Sequence, residues 1–439
     1  MAQTYRSNPI SVLLQNRGNT REAGIYSCCS ANPFVIRAAL RRAAQTGTVA
    51  LVEATANQVN QYGGYTGMTP EDFYRYLYNI AAEENFPPER LLCGGDHLGP
   101  LSWQHLPERE ALDEAKKLVR AYVLAGFSKI HIDASMRVAD DNPNVRLSDE
   151  TIARRGVALC LQAEAAFAEY HSSHPDAPAP IYVIGSEVPI PGGAQEKEDS
   201  VGVTSVCDLA ASVDAFRAAF CQEGLQDAWQ RVVAVVVQPG VEFSDASVVC
   251  YDRAAAAQLT GSLSRYPQLV FEGHSTDYQP KRCLREMVQD GIAILKVGPA
   301  LTFGLREGLF ALEKIERELL RLQEFVASNF SAVLDQVMLE NRKNWEKYYH
   351  GNFTEQRFAR AFSYSDRSRY YLTDTRVIAA VERLLENLDR IGIPPALLSQ
   401  YLHTQYLRVR DGQLRSCAAD ILIDHIGDFI DDYLYAVLR

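Results

Sequence analysis

Three of the nine histidines stand beside carboxylates at the ends of apolar runs, as Asp96-His97, His131-Ile132-Asp133 and Glu272-Gly273-His274. In an extended chain residues i and i+2 share a face, so His131 and Asp133 point one way, as do Glu272 and His274. Glu53, Glu187, Gln238 and Lys296 close other runs of the same kind. Imidazole nitrogens with carboxylate oxygens are the donors that suit zinc, manganese or another divalent ion. One acid at a strand end commonly caps a helix or meets a neighbouring cation. Burying a whole set of ionisable groups without partners is costly, which points to a cation among them. The histidines at 105, 171, 174, 350, 403 and 425 fall in loops or helical patterns and read as surface or packing residues.

Such groups converge only if the elements carrying them close on one another. Eight short apolar or β-branched runs, at 24–30, 49–55, 91–97, 129–134, 181–188, 232–239, 268–274 and 293–300, alternate with helical patterns. Several are apolar without interruption, as strands buried on both faces are. Asn32-Pro33, Thr69-Pro70-Glu71-Asp72 and Ser148-Asp149-Glu150 are helix-start signals between them. This is the pattern of an α/β protein, a (β/α)8 TIM barrel, expected over 1–325, with its chemistry at the carboxyl ends of the strands. Beyond it, 326–439 reads as a helical extension, with helices over 333–349, 354–362, 376–391 and 420–438 and a break at Gly392-Ile393-Pro394-Pro395. Nine of the 22 tyrosines lie in that tail, which predicts packing against the barrel or a second subunit, and with it a homo-oligomer.

Two glycine turns add to the pattern. Gly94-Gly95 within the third run is expected to let a ligand approach the backbone. Gly298-Pro299 after the eighth run opens a helix, a place where barrels bind phosphate, and the Ser275-to-Asp277 loop would flank it. No G-x-x-x-x-G-K-[ST] or G-x-G-x-x-G segment is present, which disfavours a P-loop kinase or a Rossmann dehydrogenase. Lys296 would be a Schiff-base nucleophile if burial lowered its pKa; among so many acids it reads as a cationic partner. Across 439 residues the net charge is −11, which gives no electrostatic reason to bind nucleic acid or an anionic membrane. The nine cysteines include no C-x-x-C pair and read as buried reduced thiols of a cytoplasmic protein. The longest aliphatic run, Val232 to Val237, is too short to span a bilayer.

Longer segments carry a resemblance. Glu53-Ala54-Thr55-Ala56-Asn57-Gln58, Gly94-Gly95-Asp96-His97-Leu98-Gly99-Pro100, His131-Ile132-Asp133-Ala134-Ser135, Gly185-Ser186-Glu187-Val188-Pro189, Glu272-Gly273-His274-Ser275-Thr276-Asp277-Tyr278 and Ser365-Asp366-Arg367-Ser368-Arg369 resemble the GatZ/KbaZ family. The resemblance implies one of two functions in sugar metabolism. One is the Z subunit of tagatose-1,6-bisphosphate aldolase, a non-catalytic partner that supports the activity and stability of a class II aldolase subunit. The other, found in relatives, is a metal-dependent epimerase that interconverts ketohexoses such as fructose and tagatose at C4. Some members carry the label tagatose-6-phosphate kinase, which the missing nucleotide motifs disfavour. A scaffold does not need so many ionisable groups at one mouth, so the expectation here is the epimerase, acting on a ketose or ketose phosphate by retro-aldol cleavage and recombination. The roles that follow are His97, Glu187 and His274 as metal ligands, with Asp133 as a fourth ligand or a catalytic group. Asp96 and Glu272 are the acid/base candidates. Glu53, Asn57, His131, Gln238, Ser275, Asp277, Lys296, Arg367 and Arg369 are expected to bind substrate. The expected cofactor is a divalent ion, zinc first, with manganese or another ion as alternatives.

Overall fold

Each of the eight apolar runs forms a strand in the computed structural model, which describes residues 6–185 and 201–439. They are β1 (Ile25–Cys28), β2 (Ala50–Thr55), β3 (Leu91–Leu98), β4 (Lys129–Ile132), β5 (Ile181–Ile184), β6 (Val232–Val237), β7 (Val270–Gly273) and β8 (Ile292–Val297). Each pairs in parallel with its neighbours in sequence, and β8 closes on β1 to complete the barrel. Nearly every strand residue is buried, because helices cover the outside and side chains fill the inside. The helix starts take the expected form. The Asn32 side chain accepts from Phe34 N–H, Thr69 and Asp72 form a capping box, and Ser148 accepts from Thr151 N–H. A small antiparallel pair, Glu242–Phe243 with Val248–Val249, follows β6 and was not apparent in the sequence.

The tail departs from the expected helices in two places. The pattern over 333–349 predicts one helix, but Phe330–Glu340 stops at Asn341, whose backbone is extended (φ −126°, ψ 90°). The Asn341 side chain accepts from Lys343 N–H and starts a short 3-10 turn, the local competition that makes asparagine a poor helix interior. Trp345 then donates its indole N–H to Met338 O (2.6 Å) and ties the returning chain back. The break at Gly392 is present, and Pro395 then begins a further short helix, Pro395–Tyr401, followed by His403–Arg410.

The tail's tyrosines do pack on the barrel. Tyr433 donates to Thr276 O (2.8 Å), Tyr364 O accepts from Tyr278 (2.6 Å), and Tyr370 meets Tyr65 edge-on at 4.9 Å. The last helix, Ala418–Val437, lies against the helices Pro33–Thr46, Lys281–Gln289 and Pro299–Leu319, so the apolar core runs on from barrel to tail. All nine cysteines are free thiols, and Cys207, Cys221 and Cys250 are exposed rather than buried as expected. Among the described residues no helix is long and apolar enough to cross a membrane.

Candidate metal centre at the barrel mouth

The rings of His97, His131 and His274 form a near-equilateral group, with centroids 4.9, 5.1 and 5.2 Å apart. Each imidazole has one nitrogen on a carboxylate. His97 Nδ1 is 2.9 Å from Asp133, His131 Nδ1 is 2.8 Å from Asp96, and His274 Nε2 is 3.0 Å from Glu272. A carboxylate behind an imidazole fixes its tautomer and leaves the opposite nitrogen as a ligand, the usual support for a metal-bound histidine. His131 Nδ1 also receives the backbone N–H of His97 at 3.2 Å, so both contacts of that nitrogen lie within the site. His131 Nε2 is then a buried atom with no hydrogen-bond partner. Asp96, His131, Glu272 and His274 each offer an atom within 4.8 Å of the other three.

Asp96 and His97 are sequence neighbours, which an ideal strand would turn to opposite faces. Both line the cavity because the β3–β4 register slips between Gly95 and Leu98, and His97 takes a left-handed backbone conformation (φ 50°). Such a bulge re-aims side chains, and the strain is the kind found at functional sites. The glycines before it act differently from expectation. A Cβ on Gly94 would fall 2.7 Å from the Glu53 side chain, and one on Gly95 would fall 2.6 Å from Leu98. They make room for the protein's own interior rather than for a ligand.

Beneath the imidazoles lies a layer of alternating charge. Glu272 is 2.8 Å from Lys129, Lys129 is 2.7 Å from Glu53, Glu53 is ion-paired with Lys296, and Lys296 is 3.0 Å from Asp96. Burial alone would raise the acids and lower the lysines. The pairing outweighs it: Asp96 and Glu272 are held below the usual carboxylate range and both lysines above theirs. Lys296 therefore stays protonated, which removes it as a Schiff-base nucleophile. Asp133 is also held down, to about 2, against burial and by its bond to His97. Burial pushes His274 down to about 4, whereas at His97 it is overcome by Asp96 and Asp133, which raise it. With the imidazoles neutral, as ligation requires, the carboxylates of Glu53, Asp96, Asp133 and Glu272 face the ammonium groups of Lys129 and Lys296. The clustered imidazole and carboxylate donors and the partnerless His131 Nε2 fit a divalent cation.

The cavity above this layer is lined by Asn57, Asp96, His97, His274, Ser275, Asp277, Lys296 and Arg369 from the expected set. Glu53, His131, Asp133 and Glu272 lie under it, buried, and touch the site through their partners. Two expected substrate-binding residues lie elsewhere. Gln238 turns its amide oxygen to Gly240 and Val241 N–H (2.9 and 3.0 Å), closing the loop after β6. Arg367 stacks on Tyr348 at 3.5 Å and donates to Asn344 O within the tail. Glu187 lies outside the described residues. The expected phosphate site is occupied from within: Asp277 Oδ1 accepts from Gly298 N–H (3.1 Å) and Ala300 N–H (2.8 Å) at the start of the helix Pro299–Leu319. Burial raises Asp277 to about 6 against those bonds.

Several site residues went unread in the sequence. Lys129 shares a face with His131 and Asp133 by the same i, i+2 rule, although it stands at the start of its run, away from the carboxyl end. Cys29, Gln58, Tyr65 and Tyr370 reach the cavity through loops and the tail, where no periodicity marks them.

Residues 10–438 match the family described as D-tagatose-1,6-bisphosphate aldolase subunit GatZ/KbaZ-like. The chain belongs to this family. A Sinorhizobium meliloti 1021 protein described as a probable tagatose 6 phosphate kinase is 45% identical, with a TM-score of 0.84 over 94% of this chain and 100% of its own. A fructuronate-tagaturonate epimerase from Cohnella laeviribosi aligns at 12% identity and a TM-score of 0.43, over 94% of this chain and 81% of its own. The YdjI aldolase from Escherichia coli K12 aligns at 11% identity and a TM-score of 0.40, over 88% of this chain and 98% of its own. Those last two likenesses are too distant to bear on function. This chain joins a closed eight-stranded barrel to a helical tail.

Proposed function

We propose that this chain is a metal-dependent enzyme that interconverts ketohexoses, fructose and tagatose or their phosphates, at C4. The observation that carries the reading is the set of three imidazoles, each with one nitrogen on its own carboxylate, and the buried His131 Nε2 left without a partner. His131 and His274 with Asp96 and Glu272 are the clustered donors that would hold the ion, and the His97 ring stands beside them, 5.1 and 4.9 Å from the other two; imidazole donors suit zinc. A divalent ion bound there supplies Lewis-acid polarisation of a carbonyl oxygen.

The chain's own groups supply the rest. Among the cavity's carboxyl groups, Asp277 is held near neutrality, so it can take the C4 hydroxyl proton and return it, whereas Asp96 stays ionised. Loss of that proton lets the C3–C4 bond break into an aldehyde and a three-carbon enediolate. The Lys296 ammonium faces the negative charge that develops. Asn57, Ser275 and Arg369 would hold the aldehyde while it turns; among the described residues no carboxylate ion-pairs with Arg369, which donates to Asp366 O (3.0 Å) and Tyr370 (3.0 Å). Re-addition to the other face inverts C4. In this reading 1–325 is the catalytic barrel and 326–439 an extension that brings Arg369 and Tyr370 to its mouth.

The family description favours a second reading, a non-catalytic aldolase subunit. Purified chain incubated alone with fructose, tagatose and their phosphates, with a chelator or with added divalent ion, decides between them. Metal-dependent conversion that is lost in His97→Ala and His274→Ala, with circular dichroism unchanged, is the expected result. Activity seen only as enhancement of an added class II aldolase would support the subunit reading instead.

A further inference from the structure

Asp96 belongs to two groups of close ligand atoms. In one it stands with His131, Glu272 and His274, and in the other with Cys29 and Glu53; within each group one atom per residue lies within 4.8 Å of the others. Two such groups joined through one carboxylate have the layout of a two-cation centre, where each ion answers a different oxygen of the reacting substrate. The second group already holds a cation. The Lys296 ammonium is ion-paired with Glu53, lies 3.0 Å from Asp96 Oδ1, is 5% exposed, and still forms part of the cavity wall. Lys129 reinforces it from below by holding the other oxygen of Glu53 at 2.7 Å.

We propose that Lys296 is the resident second cation of the site. The centre thus takes one divalent ion, in the imidazole group, and one tethered ammonium, in the group of Cys29, Glu53 and Asp96. This rests on the metal reading above and extends it. A tethered ammonium cannot dissociate or be chelated, so it offers a fixed positive charge to a substrate oxygen whichever divalent ion is present. It also keeps metal away from Cys29, whose sulfur would be an attractive ligand for zinc or cobalt once ionised.

Cobalt(II) loading tests this, with metal content per chain and absorption as readouts. The wild-type chain is expected to bind one cobalt without a thiolate-to-cobalt charge-transfer band. Lys296→Met is expected to bind two and to show that band, because the vacated group then offers a thiolate with two carboxylates. Adding Cys29→Ser to Lys296→Met should abolish the band. Lys296→Gln serves as a polar counterpart where the methionine variant fails to fold, and circular dichroism reports folding for each. A folded Lys296 variant that still binds one cobalt with no band overturns the proposal, as does a wild-type chain that binds two or shows the band. A wild-type chain that binds no cobalt removes the metal reading itself, a separate outcome.

Discussion

Two regions of this molecule bury charge, and they do so to different ends. Where the helices Pro33–Thr46, His403–Arg410 and Ala418–Val437 meet, Arg42 reaches Asp424 at 3.0 Å and Asp431 at 2.9 Å. Arg408 reaches Asp424 and Asp428 at 2.5 Å each, and Gln405 donates to both of those acids. Every one of these carboxylates meets a guanidinium, three acids sharing two arginines. At the barrel mouth the carboxylates also have partners, yet the buried His131 Nε2 remains without one. Buried charge alone therefore does not distinguish a site from a brace. Donors left over after internal pairing do.

That contrast can be broken experimentally, and the largest effect belongs at the mouth. His274→Ala removes a ligand outright and should weaken metal binding by more than the roughly 10- to 100-fold that loss of a supporting partner brings, with turnover lost alongside. Chelator competition reads the affinity, and retained binding would place the ion elsewhere. Lys129→Met leaves Glu272 without its ammonium partner and Glu53 with Lys296 alone in a fully buried layer, and should cost about 3–5 kcal/mol in urea unfolding. A change below about 1 kcal/mol would show that the lysine is not what balances that layer.

Asp277 gives a pH signature. Its pKa rises from 3.8 to about 6 on folding, so the folded chain holds this proton more tightly than the unfolded one. Stability from this group is full below about pH 4 and falls by about 3 kcal/mol as pH rises through 6. Asp277→Asn keeps an acceptor for Gly298 and Ala300 and should flatten that slope in unfolding curves taken across pH 4 to 7. A slope identical to wild type would remove Asp277 as its source. The smallest effect belongs to the tail: Arg408 is partly exposed, so Arg408→Ala should cost about 1 kcal/mol and leave metal affinity unchanged. A metal-binding defect in that variant would erase the distinction between the two regions.

The barrel was legible because alternating apolar runs and helix caps are local properties, and all eight strands follow from them. The meeting of Glu272 with His274 on a common face followed from strand geometry alone, whereas His131 and Asp133 find their partners in Asp96 and His97. The approach of Asp96 and His97 to one cavity did not follow from that geometry, since it depends on a register slip between β3 and β4 that no local rule announces. The same limit hid the occupant of the helix N-terminus at Gly298. Glycine after a strand marks the donors, but only the fold shows that Asp277 has taken them. The early stop at Asn341 is the opposite case, a local signal outweighed in the reading by apolar spacing on either side.

The central claim is that this chain by itself breaks and remakes the C3–C4 bond of a ketohexose. Its most direct test is conversion of fructose and of fructose 6-phosphate by the metal-loaded protein in deuterium oxide, with the products read by NMR. Cleavage and recombination predict a tagatose product that keeps its original hydrogen at C4, because that hydrogen stays on the aldehyde carbon throughout. Deuterium at C4, or no conversion of either substrate with any divalent ion, would contradict it.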